Sequence, residues 1–94
     1  MPGIRVGNFV YEYNINTLEA ETSNNDWQGA TDESGANQSI TTASWQGGAE
    51  AAIIPETVVI YGNTYTVRTL QGYSFNSSPA TSIFIPKTVT SVSS

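Results

Sequence analysis

The sequence predicts a mainly β protein, with an N-terminal β-meander of hairpins leading into a short, truncated stack of β-rich repeats that holds at most one or two helical turns. Two observations carry this. The phrase Ile54-Pro55-Glu56-Thr57-Val58 returns as Ile85-Pro86-Lys87-Thr88-Val89, and a phrase written twice in 94 residues marks an architecture in which each unit buries its apolar side against the next. Elsewhere apolar and polar residues alternate between turn-forming pairs, the period of two that a sheet requires.

The first elements read as a meander. Ile4 and Val6 alternate with Arg5, Gly7-Asn8 turns the chain, and Phe9, Tyr11, Tyr13 and Ile15 fall on one face with Val10, Glu12 and Asn14 on the other. Asn16-Thr17 offers a second turn, and Leu18–Thr22 gives a third strand with its carboxylates toward water. Aromatic residues at alternate positions suit a half-buried pleated surface, so core packing accounts for the Tyr row better than a sugar-stacking platform does. Residues 23–38 are dense in Asn, Asp, Ser and Gly and predict a long polar loop. Ser39–Trp45 has β-formers and reads as a further strand leading into Gly47-Gly48.

In the second half, Ala51–Ile54 forms a strand that must stop at Pro55, which has no amide proton for a ladder. Val58–Tyr61 and Thr64–Leu70 flank Gly62-Asn63 and predict a tight hairpin. Gln71–Phe75 reads as one helical turn that drops Phe75 into the core, and Thr81–Ile85 as a short strand closed by Pro86. Pro86 follows Pro55 at an offset of 31, whereas Val67 and Leu70 recur as Val89 and Val92 at an offset of 22. The difference, 31 less 22, leaves about nine positions as an insertion into the shorter unit, and the hairpin is that insertion. The chain is therefore expected to be a single structural domain with two parts. Residues 1–50 form a β-meander cap, and residues 51–94 form a repeat segment carrying the inserted hairpin at about 58–70.

Tyr73-Ser74-Phe75, Ile83-Phe84-Ile85-Pro86-Lys87-Thr88-Val89 and Val92 resemble the unit of the BspA-type leucine-rich repeats of bacterial surface proteins. The lead-in is similar too, in Phe9–Ile15 and in Ile54–Val58 followed by Tyr61–Val67, so the likeness covers roughly two thirds of the chain. Ser78 and Ala80 stand where that family often has Cys and Leu. The resemblance implies a truncated leucine-rich-repeat solenoid whose repeat positions are Ile54, Pro55, Val58, Val67, Leu70, Phe75, Ile83, Ile85, Pro86, Val89 and Val92, with the aliphatics stacked inward. It also implies an extracellular or cell-surface location and a recognition or adhesion role toward a protein or glycan. The alternative is a structural cap, or a segment that self-associates into a homo-oligomer through an open C-terminal repeat edge.

Composition narrows the function. Three basic residues against eight acidic ones give a net charge of −5, a field that repels nucleic acid. No apolar run is long enough to insert in a membrane, and Met1-Pro2-Gly3 does not open a signal peptide. Without His or Cys the commonest general base and soft nucleophile are both missing, so no enzyme activity and no cofactor are expected. Glu19 and Glu21 share a strand face, but a thin sheet offers them no cleft. Asp26, Asp32 and Glu33 lie close in sequence, but their spacing misses the calcium-loop pattern, so no metal is expected. The candidate ligand-binding residues are Trp27, Trp45, Tyr61 and Tyr65, the two indoles lying in echoing Trp-Gln-Gly segments. Exposed on loops, the indoles would bind a partner. Buried, they would cover the ends of a thin core, and the residues favour the second.

Overall fold

A computed structural model describes residues 3–23, 30–38, 44–71, 74–75 and 78–92. It is mainly β, with no helix among the described residues. The ten strands among the described residues are β1 (Gly3–Val6), β2 (Phe9–Asn14), β3 (Glu19–Thr22), β4 (Ala30–Asp32), β5 (Asn37–Gln38), β6 (Ala51–Ile53), β7 (Thr57–Ile60), β8 (Asn63–Leu70), β9 (Ser82–Phe84) and β10 (Ser91–Val92). Eight form a mixed sheet in the order β10-β8-β3-β2-β1-β4-β5, with β7 also on β8, while β6 and β9 make a separate pair.

The meander forms where the alternation places it. Gly7, at φ +60, lets a two-residue turn bring Val6 opposite Phe9. The next turn sets Tyr13 opposite Ala20 and Glu12 opposite Glu21. Phe9 and Tyr11 are buried as the period of two requires, but Val10 is buried as well and Ile15 is exposed. At Val10 the strand is also tied to Ser44, whose Oγ donates to the Val10 carbonyl at 2.6 Å while the Val10 amide donates to the Ser44 carbonyl at 3.0 Å. Ile15 falls in the turn, beyond the strand.

Residues 30–38, expected as loop, form the β4–β5 hairpin, and β4 lies parallel to β1. The turn formers mark its tip: Asp32 Oδ1 accepts from the amides of Ser34 (2.9 Å) and Ala36 (3.0 Å), and Gly35 takes φ +85. These hydrogen bonds, the Ser34 hydroxyl foremost, hold the Asp32 carboxyl below its usual pKa. The rest of the polar stretch, 24–29, lies outside the described residues, as do positions 39–43 of the strand expected at Ser39–Trp45.

The β7–β8 hairpin closes through Tyr61 at φ +49 and Gly62 at φ +82, one residue earlier than Gly62-Asn63. Both positive angles match the two-residue turn that suits the right-handed twist of a hairpin. Moving the turn by one residue shifts each cross-strand partner by two, so every side chain keeps its face. The position is held from outside the hairpin, since the Tyr61 amide donates to Glu33 Oε2 at 3.2 Å and β3 pins β8 from its other side. A bulky L-residue is strained at this angle. Tyr61→Asn should therefore raise the unfolding free energy by about 1 kcal/mol, measured by urea denaturation.

This hairpin is not an excursion from the fold. β8 is the strand to which both halves of the chain are attached, with β3 parallel along one edge and β7 and then β10 along the other. A bulge between Ala20 and Glu21 leaves Arg68 unpaired with β3, and its carbonyl accepts the Thr90 amide at 2.9 Å at the approach to β10.

Two parallel strand pairs share the offsets read from the sequence. β6 and β9 pair in parallel with Ala52 beside Ile83 and Ile53 beside Phe84, an offset of 31. β8 and β10 pair in parallel with Leu70 beside Val92, an offset of 22. Those are the two spacings of the sequence repeat. Ile54, Val58, Val67 and Leu70 are buried, and Pro55, Phe75, Pro86 and Val89 are half-buried. The inward stacking expected of all the repeat aliphatics does not extend to Ile83, Ile85 and Val92, which are exposed. Gly72 and Tyr73 of the helical turn expected at Gln71–Phe75 lie outside the described residues; the Ser74 amide donates to the Gln71 carbonyl at 3.2 Å, and Phe75 packs on Phe9 at 6.0 Å between ring centroids.

The core gathers Ile4, Phe9, Tyr11, Ala20, Val58, Ile60, Tyr65, Val67 and Leu70 from the large sheet with Trp45, Ala52 and Ile54. A set of hydroxyls ties its margin together. Ser74 Oγ donates to the Gln71 carbonyl, which orients Thr22 Oγ1 to donate to Ser74 Oγ at 2.9 Å. These two buried hydroxyls are tolerated because each finds a partner, whereas Thr88 Oγ1 is buried without one among the described residues.

Candidate functional site

Of the four residues singled out as ligand-binding, Tyr61 alone is both described and exposed. Trp27 lies outside the described residues. Trp45 is 5% exposed, and its ring meets Phe9 at 5.1 Å. Its Nε1 donates to the Gly48 carbonyl at 3.2 Å, and a Cβ on Gly47 would lie inside the indole ring's van der Waals envelope. The Trp-x-Gly-Gly segment is thus a fold around its own indole, and the glycines are what let the backbone pass so close. Tyr65 is 1% exposed and packs its ring against Tyr13 at 5.1 Å. Neither Trp45 nor Tyr65 offers a face to a ligand, because both complete the core of a small domain with few large side chains to bury.

Tyr61 stands at the hairpin tip beside the Tyr13–Tyr65 pair. Burial first, and then the neighbouring phenols of Tyr61 and Tyr65, push the Tyr13 pKa up. The strained backbone of Tyr61 presents an aromatic ring, 54% exposed, next to two others.

Two concavities are lined by described residues. One, about 340 Å³ and open, runs over β2, β3 and β8 and is lined by Glu12, Tyr13, Glu19, Glu21 and Arg68 among others. The pairing of β2 with β3 sets Glu12 directly across from Glu21, and burial followed by the Glu12 charge raises the Glu21 pKa. The Ser23 hydroxyl donates to Glu12 Oε2 at 2.8 Å, and Arg68 Nε lies 3.4 Å from Glu19 Oε2. The opposition of Glu12 and Glu21 is legible in principle, since a turn at Asn16-Thr17 pairs positions 12 and 21. Alternation along a single strand points to Glu19 and Glu21 instead, and misses the partner across the turn. The second concavity, about 500 Å³, lies between the Gly7-Asn8 turn, Trp45, β6 and β7, and its walls include Val6, Phe9, Ile53 and Val59.

Among the described residues no three His, Cys, Asp or Glu side chains are grouped as a metal site requires. No helix among them is long and apolar enough to cross a membrane. Comparison of the chain with protein-family models, with curated proteins and with solved structures gives no match.

Proposed function

We propose that this chain is a non-catalytic β module of the cell surface, built as the capped end of a short solenoid whose parallel strands are successive layers. The observation that carries this reading is the agreement between two parallel registers, offset by 31 for β6 with β9 and by 22 for β8 with β10, and the spacings of the repeated phrase. A chance likeness of two short phrases gives no reason for the strands leading into them to pair in register. The meander β1–β3, together with Trp45, closes one side of the stack. Ile83, Phe84, Ile85 and Val92 stay 43–68% exposed on the other, an apolar surface that fits the contact with a further layer.

The primary role in this reading is structural, an end-piece to which repeat layers attach. Recognition of a protein or glycan, as the resemblance to BspA-type leucine-rich repeats implies, is a second role with its own support in Tyr61. A strained, exposed aromatic at a hairpin tip is a feature that selection for stability alone would remove.

The structural role is tested by appending a second copy of residues 71–92 after Ser94. A docked layer that contributes about 1 kcal/mol should raise the thermal midpoint by roughly 4–8 °C and protect the appended segment from protease. An unchanged midpoint with rapid cleavage of the addition would refute it.

A further inference from the structure

We infer that the outer edge of β7 is a peptide-binding site, taking up a short extended segment whose apolar residues are flanked by lysine or arginine. The site is independent of the stacking role, since β7 belongs to neither of the parallel pairs that define that role.

Among the described strands β7 pairs with β8 alone. The two-residue turn at Tyr61-Gly62 decides which backbone groups that pairing uses. Ile60 with Asn63, and Val58 with Tyr65, are the hydrogen-bonded pairs of an antiparallel hairpin, while Val59 with Thr64 and Thr57 with Thr66 are the open pairs. The Thr66 amide accordingly points the other way and donates to the Leu18 carbonyl at 2.9 Å. By the same pleat the amides and carbonyls of Thr57 and Val59 point away from β8, and they meet no partner among the described residues. Edge strands are ordinarily defended by a charge, a proline or a bulge. Thr57–Ile60 has none of these.

The concavity beside Trp45 runs along this edge. Thr57, Val58 and Val59 all line it, and three successive strand residues, whose side chains alternate between faces, share one groove only along the strand's edge. Val6, Phe9 and Trp45 give it apolar walls, and Ile53 and Val59, 66% and 54% exposed, leave it open to solvent. The charges around it select the occupant. Glu50 lines the groove, Glu56 immediately precedes β7, and Glu33 is held at the Tyr61 amide just past the strand's end. All three are exposed. Arg5 is the one cation adjacent in sequence to a lining residue, and its Nε donates to the Gly7 carbonyl at 3.0 Å. A segment that adds to the edge through its backbone, with apolar residues at alternate positions and a base at each end, meets both the open ladder and the carboxylates. An edge-to-edge dimer would instead set those carboxylates against their own copies, which opposes it.

The test uses the full chain and three fluorescein-labelled peptides, with binding read by anisotropy at low salt: KTVTVK, the same peptide N-methylated at its internal amides, and ETVTVE. The basic peptide is expected to bind about tenfold more tightly than its N-methylated form, which cannot make the ladder. It should bind about fivefold more tightly than the acidic one, with that gap closing as salt is raised. Val59→Pro removes an outward amide that β8 does not use, and should weaken binding of the basic peptide with the far-UV circular dichroism retained. If that variant does not fold, the comparison of peptides on the unchanged chain decides. Equal binding of the basic and N-methylated peptides would overturn the edge contact, and equal binding of the basic and acidic peptides would overturn the charge selection. Absence of binding at millimolar concentration would overturn both. A native mass that doubles with concentration in the unchanged chain but not in Val59→Pro would give the edge to a second copy and overturn the inference.

Discussion

Replacing Trp45 with alanine is expected to destabilise the protein by about 3–5 kcal/mol, the range found when a buried aromatic is truncated and its site cannot collapse. The indole fills the junction between the start of β2, the Ser74 turn and the Gly47-Gly48 backbone. Its own amide donates to the Ser74 carbonyl at 3.2 Å, and the next amide, of Gln46, donates to the Asn8 carbonyl at 2.7 Å. No neighbouring side chain can move in without breaking those backbone contacts. A domain of this size has only about 5–14 kcal/mol of stability to draw on, so the loss will appear as a drop in the urea midpoint of about a fifth or more. A stability change under about 1 kcal/mol would place the indole at the surface. Loss of any binding activity in this variant would consequently reflect loss of the fold.

Tyr65→Ala is expected to cost a similar amount, about 3–5 kcal/mol, because Tyr65 sits in the middle of the core on the strand that joins both halves of the sheet. Tyr65→Phe retains the ring and its edge contact with Tyr13, and most of the loss should be recovered. Equilibrium urea denaturation of the two variants separates ring packing from any contribution of the hydroxyl. If Tyr65→Ala unfolds at the same midpoint as the parent, the ring is not in the core. The contrast with Tyr61 is instructive: in one hairpin, one tyrosine is buried by the pleat and the other is projected by the turn.

Strands whose order along the chain is also their order in space are legible in the sequence. β1, β2 and β3 follow from alternation and from turn residues at Gly7-Asn8 and Asn16-Thr17, and β7 and β8 from the residues around Gly62. Their partners lie close by in the chain, so local chemistry decides them. The offsets of 31 and 22 are read from the sequence through spacing, and both reappear as strand registers. The long-range choices of the polar and central segments are not legible. Ala30–Asp32 carries too little apolar pattern to announce a strand, and it becomes one because β1 has a free edge to pair. Spacing alone makes β8 part of an insertion, yet the strand is central because β3 finds it in parallel from far along the chain. Trp45 and Tyr65 are ambiguous for a related reason. An aromatic residue supplies the same area to a core as to a ligand, and the neighbours that decide between them are distant in sequence.

The claim on which the account depends is that the strands leading into the two phrases lie side by side in parallel at an offset of 31, and the chain's lack of cysteine makes that directly measurable by cross-linking. Ile53 and Phe84 are exposed register partners, so the double variant I53C/F84C should oxidise within one molecule to a disulfide. Closing that loop should raise stability by about 3–4 kcal/mol over the reduced form. If I53C/F84C yields only intermolecular dimers while the slipped pair I53C/I85C closes readily, the register is wrong and the layered reading fails with it.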